Sequence, residues 1–319
     1  MRELLAVLPV LEGLSRVPRT FLGFCRWLGV TLTPGQTELC RVLFDGGEPD
    51  GVLGANIFGF SGSVPPGCRD VVAITAGARS GKSYVCMGLR MVHQMLVSDL
   101  NSLAPGQRAV ALVIAPNDKL RREVVSYARG AVNSKPELVT MLEEDGTDGF
   151  GLRRPDGHLV RLEAGVATPG GYGGRGRSLC AFGLDETAFF KNADYAVSDS
   201  EIFRSGSARV LPGCQTIVAS TPWGKSGLLY QLHKDNWGHP KTALVAHAPT
   251  LLMHDSPMTR TLVERERARD PENAAREFDA KFVSTDVAEF FPDDLIDMCV
   301  DASIALERRD PAVLDHPGP

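Results

Sequence analysis

The spacing of apolar residues changes near residue 70. Before that point, residues 1–60 alternate helix-like apolar stretches with polar turns such as Thr33-Pro34-Gly35. After it, short β-branched runs alternate with helical stretches, and the runs are Val71–Thr75, Ala109–Ala115, Leu179–Leu184, Thr216–Ala219 and Ala243–Ala246. Continuous apolar strands that alternate with helices predict an α/β fold, in which helices cover both faces of a mainly parallel sheet.

A passage rich in glycine, serine and proline, residues 61–67, separates the two patterns. We therefore divide the chain into a helical N-terminal lid subdomain (1–62), an α/β core (63–285) and an acidic C-terminal linker (286–319). The net charge is −5, but residues 251–319 hold 8 basic and 16 acidic side chains and the remaining residues carry +3. A slightly basic body is compatible with a ligand that has a phosphate backbone.

Membrane and secreted proteins do not fit this sequence. No stretch reaches the roughly 18 uninterrupted apolar residues that a membrane helix needs. The apolar run Leu4–Leu11 lies between Glu3 and Glu12 with no small-residue cleavage site after it, which predicts a helix and not a signal peptide. The seven scattered cysteines form no CxxC pair, so we expect buried thiols in a reducing cytoplasm.

The strongest local signal is a glycine-rich turn between the first β-branched run and the helical stretch at residues 83–96. Its residues are Ala76, Gly77, Ala78, Arg79, Ser80, Gly81, Lys82 and Ser83. Backbone N–H groups in such a turn point at phosphate oxygens, and the helix N-terminus adds partial positive charge. We expect Lys82 to reach the β- and γ-phosphates and the Ser83 hydroxyl to ligate Mg²⁺. Ala76 replaces the usual first glycine, and an ordinary strand–turn–helix is the alternative interpretation.

Two later strands end in residues that suit a nucleotide hydrolase. One delivers Asp185, which can hold Mg²⁺ through water, and Glu186, which can orient and deprotonate an attacking water. Carboxylates also commonly cap strand-to-helix turns. The other strand ends in Ser220 and Thr221, whose hydroxyls can bond a γ-phosphate or the water, although Ser-Thr-Pro after a strand is also an ordinary turn.

The order and spacing of these segments resemble the ATPase domain of the large terminase subunit, the DNA-packaging motor of tailed bacteriophages. The resemblance covers roughly residues 30–290. The phosphate loop of that family typically contains an arginine, which Arg79 matches. The family's second motif ends in Asp-Glu, which Asp185 and Glu186 match.

Other positions extend the resemblance. Ser220 and Thr221 match the family's coupling motif, and Gln36 matches a glutamine that contacts adenine. The stretch Arg276–Val283 resembles its closing helix and strand. Arg175 matches an arginine that acts on a neighbouring subunit's nucleotide, where a guanidinium stabilises transition-state charge. Arg79 is the competing candidate for that role within the same subunit.

The resemblance implies a phosphate-loop NTPase fold of the ASCE type. It further implies a homo-oligomeric ring in the host cell cytoplasm, at the procapsid portal. This ring would hydrolyse ATP with Mg²⁺ and drive double-stranded DNA into the procapsid, with the portal protein and the small terminase subunit as partners. We expect no membrane association. The sequence stops before the nuclease domain that normally follows in the family, which indicates either an excised ATPase domain or a motor whose nuclease is a separate polypeptide. We expect no DNA cleavage by the residues present.

Two alternatives stay open at the level of sequence. The first is another ATPase of the same broad class, a helicase-like translocase, which strand separation of a forked duplex would favour. The second is a nucleotide-gated binding module that holds ATP without meaningful turnover. An intact Asp185-Glu186 pair weighs against this second alternative.

Overall fold

The computed structural model describes residues 17–168, 176–192, 195–196 and 198–283. Its N-terminal part is helical, with α1 (Phe21–Leu28), α2 (Pro34–Phe44) and α3 (Gly51–Phe58). The side chain of Thr33 accepts the Gln36 N–H at the start of α2, and the Gln36 amide accepts the Thr33 N–H in return. This reciprocal capping fixes where α2 begins and holds the Gln36 side chain at its first turn.

Five of the ten described strands match the five predicted apolar runs closely. They are β1 (Val71–Ala76), β2 (Ala109–Ala115), β3 (Leu142–Gly146), β4 (Gly149–Arg153), β5 (Leu159–Val166), β6 (Ser178–Asp185), β7 (Lys191–Asn192), β8 (Tyr195–Ala196), β9 (Thr216–Ser220) and β10 (Leu244–Ala248). β7 and β8 pair with each other, and the other eight form one sheet in the order β10-β1-β9-β6-β2-β5-β4-β3. The first six strands in this order, β10 through β5, run parallel to one another. β4 and β3 then extend the sheet in antiparallel pairing. The predicted mainly parallel sheet is confirmed.

Helices cover both faces of this sheet. After a π-helical turn segment (Lys82–Leu89) come α4 (Arg90–Val97), α5 (Asp118–Asn133), α6 (Pro136–Val139), α7 (Asp199–Ser207), α8 (Gly227–Asn236), α9 (Thr250–Met253), α10 (Pro257–Arg269) and α11 (Pro271–Glu277). The N-terminal helices, the π-helical segment, α4 and α5 pack on one face, and α7 and α8 pack on the other. Two hydrophobic clusters result, one on each side of the parallel strands, which explains why those strands are apolar throughout.

The order of the strands decides what meets at the carboxyl edge of the sheet. β9 lies between β1 and β6, with Ser220 opposite Thr75 and Ala219 opposite Asp185. The end of β9 therefore separates the glycine-rich turn after β1 from the carboxylates after β6. Crevices at the carboxyl ends of parallel strands are the usual ligand sites of open α/β sheets.

The division of the chain at residues 62 and 285 stays a prediction, and residues 1–16 and 286–319 lie outside the described part. Within that part, no helix is long and apolar enough to span a lipid bilayer. The six cysteines described there are buried and free.

Candidate functional site

The glycine-rich loop, residues 76–83, connects β1 to the π-helical segment. Ala76 is still the last residue of β1 and is fully buried, which explains why an alanine is accepted at this position. Positive φ angles occur instead at Arg79 (60°) and at Gly81 (93°), where a glycine relieves the strain. Lys82 and Ser83 open the helical segment, so their N–H groups have no acceptor one turn earlier in the helix. The predicted turn between strand and helix is present, and phosphate binding by it stays a prediction.

Backbone hydrogen bonds fix the first half of this loop to the end of β10 and to the end of α11. The Gly77 N–H donates to the Ala248 carbonyl at 3.0 Å, and the Ala78 N–H donates to the Glu277 carbonyl at 2.6 Å. The Thr250 hydroxyl donates to the Ala78 carbonyl at 2.6 Å. A Cβ on Gly77 would lie 2.4 Å from the Thr250 hydroxyl oxygen, so only glycine fits here without movement.

Asp185 ends β6 and is fully buried. Its Oδ1 accepts the Ser83 hydroxyl at 3.2 Å, whereas its Oδ2 is buried without a hydrogen-bond partner. Burial is the main cause that raises the pKa of Asp185 to about 7, and the Glu186 charge adds to it, while the Ser83 hydrogen bond and Lys82 act in the opposite direction. A buried carboxylate with an unpartnered oxygen next to a hydroxyl is a donor set that suits a hard divalent cation.

Glu186 follows directly in a left-handed backbone conformation (φ 53°, ψ 45°) that turns its side chain toward the loop. Its Oε1 lies 3.0 Å from the Lys82 ammonium. Its Oε2 accepts two hydrogen bonds of 3.0 Å, one from the Ser220 hydroxyl and one from the Thr221 N–H. Lys82 also donates to the Thr221 hydroxyl at 3.1 Å. The three sequence motifs therefore meet in one site.

Gln36 reaches the same site from α2. Its amide nitrogen donates to the Ser80 carbonyl at 2.9 Å. This contact brings the predicted adenine-contacting residue to the glycine-rich loop, but the adenine contact itself stays a prediction.

The arginine candidates have different surroundings. Arg79 is exposed on the loop, and no ion-pair partner faces it among the described residues. Arg175 lies outside the described residues, so its assignment stays a prediction. Its neighbour Arg177 forms an ion pair with Glu163 at 2.9 Å at the start of β6.

The closing segment, residues 276–283, contacts two parts of the site. The Glu277 carbonyl accepts the Ala78 N–H of the glycine-rich loop, as described above. At its other end, the Val283 N–H donates to the Trp223 carbonyl at 3.1 Å. At the Glu277 end, the Arg276 guanidinium lies 4.0 Å from the centre of the Trp223 ring. Trp223 comes two residues after Thr221, so one short segment touches both the glycine-rich loop and the loop after β9.

Sequence reasoning missed Thr250 and the carbonyl of Glu277 as parts of the site. A backbone carbonyl has no signature in the sequence, and a single threonine after Pro249 gives no signal either. Arg121 lies in α5 and is 8% exposed, and it pairs with Asp118 and Asp148.

Known proteins resemble this chain in fold but not in sequence. No family model matches the sequence, and no curated protein matches it. Among solved structures, an arginine-to-alanine mutant of the Thermus phage P74-26 large terminase ATPase domain aligns with a TM-score of 0.55 and 16% identity over 82% of this chain and 98% of that one. The chain has the fold of a large terminase ATPase domain.

Two further terminases agree. The large terminase of bacteriophage HK97 aligns with a TM-score of 0.53 and 18% identity over 79% of this chain and 51% of that one. The large terminase of another thermophilic bacteriophage aligns with a TM-score of 0.50 and 12% identity over 79% of this chain and 53% of that one. The expected phosphate-loop NTPase fold of the ASCE type is confirmed, whereas identities this low establish the terminase fold and not its activity.

Proposed function

We propose that this chain is an ATP-hydrolysing motor that moves double-stranded viral DNA into a procapsid. The observation that carries the proposal is the meeting of Lys82, Glu186 and Thr221 within hydrogen-bond distance, although 139 positions separate Lys82 from Thr221. The terminase fold supports DNA packaging as the use of this site.

Each residue of the site has a chemical role in this proposal. Lys82 and the N–H groups at the start of the helical segment hold the phosphates of ATP. Glu186 orients a water molecule in line with the γ-phosphate and takes its proton as the oxygen attacks phosphorus, and ADP leaves with the electron pair of the broken P–O bond. Gln36 contacts the adenine.

Magnesium fits the residues around Asp185. The unpartnered Oδ2 of Asp185 and the Ser83 hydroxyl beside it offer oxygen ligands in a buried place. Ser83 and Asp185 would hold the ion, and the ion would screen the phosphate charges when bound.

The motor is a homo-oligomeric ring at the procapsid portal in the host cell cytoplasm, with the portal protein and the small terminase subunit as partners. In such a ring, Arg175 acts on the nucleotide of the neighbouring subunit. Arg79 is the candidate for the same charge neutralisation within one subunit, since it is exposed on the glycine-rich loop.

The test is phosphate release per subunit as protein concentration rises, with Glu186→Gln as the matched blank. We expect the wild-type rate to exceed the blank by about 100-fold or more, because the blank lacks the general base. A rate per subunit that climbs with concentration supports Arg175 across subunits, and a flat rate supports Arg79. Phosphate release equal to the blank at all concentrations, with tight ATP binding, overturns the motor in favour of a nucleotide-gated module.

A second measurement separates packaging from unwinding. We expect blunt double-stranded DNA to raise phosphate release while a forked duplex stays paired. Strand separation of the fork overturns the packaging proposal in favour of a helicase-like translocase.

A further inference from the structure

The Glu186 carboxylate is engaged on both oxygens in this structure. Oε1 faces the Lys82 ammonium, and Oε2 accepts the Ser220 hydroxyl and the Thr221 N–H. The two ion-paired side chains are largely enclosed, with 10% of Lys82 and 15% of Glu186 exposed. The carboxylate therefore has a fixed position that three separate groups define.

These three contacts do not all survive the binding of a triphosphate. Lys82 is the group that reaches the β- and γ-phosphates, so ATP draws its ammonium away from Oε1. Ser220 and the Thr221 N–H lie at the end of β9. They are separate from Lys82, so its movement toward phosphate does not remove them from Glu186. With ATP bound, these two donors on Oε2 alone hold the Glu186 side chain.

Ser220 is the adjustable one of the two donors. Its hydroxyl has a single proton and two acceptors in reach, Glu186 Oε2 at 3.0 Å and the Thr221 carbonyl at 2.7 Å. The same oxygen accepts the Ala188 N–H at 3.3 Å. Ser220 is fully buried, so water does not replace either contact. The single Ser220 proton can therefore serve either acceptor, and the position of Thr221 relative to Glu186 favours one over the other.

Resting on the proposed function, we propose that Ser220 is a positioning residue that sets where the Glu186 carboxylate stands relative to the γ-phosphate. The loop after β9 thereby controls hydrolysis. That loop is not isolated, because the Trp223 carbonyl two residues on accepts the N–H of Val283. The closing segment is thus joined to the position of the catalytic carboxylate by a short chain of contacts.

The test compares Ser220→Thr with Ser220→Val, since the two side chains have the same shape and differ in one hydroxyl. We expect the valine variant to lose roughly 100-fold in kcat relative to the threonine variant, as a misplaced catalytic group does, with KM and the affinity for a fluorescent ATP analogue unchanged. Thr216→Val is the matched control. It removes a buried hydroxyl at the other end of β9, which bonds the Ser207 hydroxyl at 3.2 Å, so we expect it to leave both KM and kcat within about threefold.

Equal kcat values for Ser220→Thr and Ser220→Val overturn the positioning role, and so does a loss of kcat and nucleotide affinity in the same proportion. A readout without hydrolysis is a double-mutant cycle in chemical unfolding between Ser220→Ala and Glu186→Gln. We expect the unfolding equilibrium constant of the double mutant to differ about fivefold from the value that the two single mutants predict for independent residues, because the two side chains are in contact. Additivity overturns the contact. A wild-type protein without phosphate release but with non-additive unfolding contradicts the proposed function and supports the contact.

Discussion

The Ser83 hydroxyl donates to Asp185 Oδ1 across 3.2 Å, and Oδ2 of the same carboxylate is buried without a partner. Ser83 lies at the start of the π-helical segment and Asp185 ends β6, 102 positions later. A buried carboxylate oxygen without a hydrogen-bond donor destabilises the folded state and so lowers the free energy of unfolding. A divalent cation bound as proposed would relieve that cost, which would link stability to metal binding at this residue.

The first prediction concerns Asp185→Asn. In EDTA we expect this variant to be more stable than the wild type by about 1–3 kcal/mol, since it removes a buried charge with an unpartnered oxygen. Mg²⁺ with ADP should raise the Tm of the wild type and not that of the variant, and phosphate release should fall to the level of the Glu186→Gln blank. Thermal unfolding with and without EDTA measures both effects.

Asp50→Asn is the control for that comparison, because the Asp50 side chain is 82% exposed. We expect its Tm to match the wild type in EDTA and to rise equally with Mg²⁺ and ADP. An Asp185→Asn protein that gains as much Tm from Mg²⁺ and ADP as the wild type would show that the ion binds elsewhere.

The second prediction concerns Gly77→Ala. Its Cβ would lie 2.4 Å from the Thr250 hydroxyl oxygen and 2.6 Å from the Phe278 carbonyl oxygen, so the loop must shift. We expect a loss of about 1–3 kcal/mol in the free energy of unfolding and weaker nucleotide binding. Urea unfolding and titration with a fluorescent ATP analogue measure the two effects.

Gly130→Ala is the matched control, since Gly130 lies inside α5 and its added Cβ meets open space. We expect that variant to gain about 1 kcal/mol through helix propensity and to bind nucleotide like the wild type. Equal stabilities for the two alanine variants would contradict the close approach at Gly77.

The third prediction uses Trp223 as a reporter, in a protein whose other tryptophans, Trp27 and Trp237, are replaced by phenylalanine. Nucleotide that engages the glycine-rich loop should disturb the Ala78–Glu277 hydrogen bond and with it the guanidinium over the Trp223 ring. We therefore expect Trp223 fluorescence to change on adding ATP analogue. Steady-state emission during a titration measures it.

Arg276→Gln removes the cation over that ring and should cost about 1 kcal/mol of stability at this partly exposed site. We expect it to abolish most of the fluorescence response while nucleotide still binds. A fluorescence response of unchanged size in Arg276→Gln would mean that the closing segment does not link the glycine-rich loop to Trp223.

The fourth prediction concerns pH. His93 is buried among α1 and α4, its Nδ1 lies 2.7 Å from the Arg90 guanidinium, and its Nε2 lies 3.1 Å from the Pro18 carbonyl. Burial, with Arg90 as the second cause, lowers the pKa of His93 from 6.5 to about 3. The unfolded chain therefore binds this proton first, so the stability is fully present above pH 6.5 and is lost as pH falls toward 3.

At pH 5 this one residue should cost about 2 kcal/mol relative to pH 7. His93→Gln keeps an acceptor for Arg90 and a donor for the Pro18 carbonyl, so we expect its stability to fall less between pH 7 and pH 5. His239→Gln, at an exposed position, serves as control and should follow the wild type. Parallel curves for wild type and His93→Gln, from urea unfolding at each pH, would contradict the assignment.

Five of the six parallel strands could be predicted because both their faces are buried, which makes runs such as Val71–Thr75 apolar throughout. β5 is missed because Arg161 and Glu163 interrupt its apolar run. The turn at residues 76–83 could be predicted because its glycines stand between an apolar run and a helical stretch. β3 could not be predicted, since Glu143, Glu144 and Asp145 make an edge strand with no apolar alternation.

The engagement of Glu186 could not be predicted either. Its partners come from β9 and from the loop after β1, and one of them is a backbone N–H that any residue at position 221 offers. Which hydroxyl reaches which carboxylate depends on the strand order, and a sequence without known topology does not contain that order. The turn between the antiparallel strands β4 and β5 has a local cause, because Pro155-Asp156-Gly157 favours a tight turn and the Gly157 N–H donates to the Arg154 carbonyl.

The closing segment has a mechanical consequence. It is held at Val283 by the Trp223 carbonyl and at Glu277 and Phe278 by the N–H groups of Ala78 and Thr250. Tension applied along the chain at Val283 therefore loads the loop after β9 first and the glycine-rich loop second. In the proposed motor, load on this segment would reach Glu186 before it reaches the glycine-rich loop, so resistance would slow hydrolysis before it releases the nucleotide.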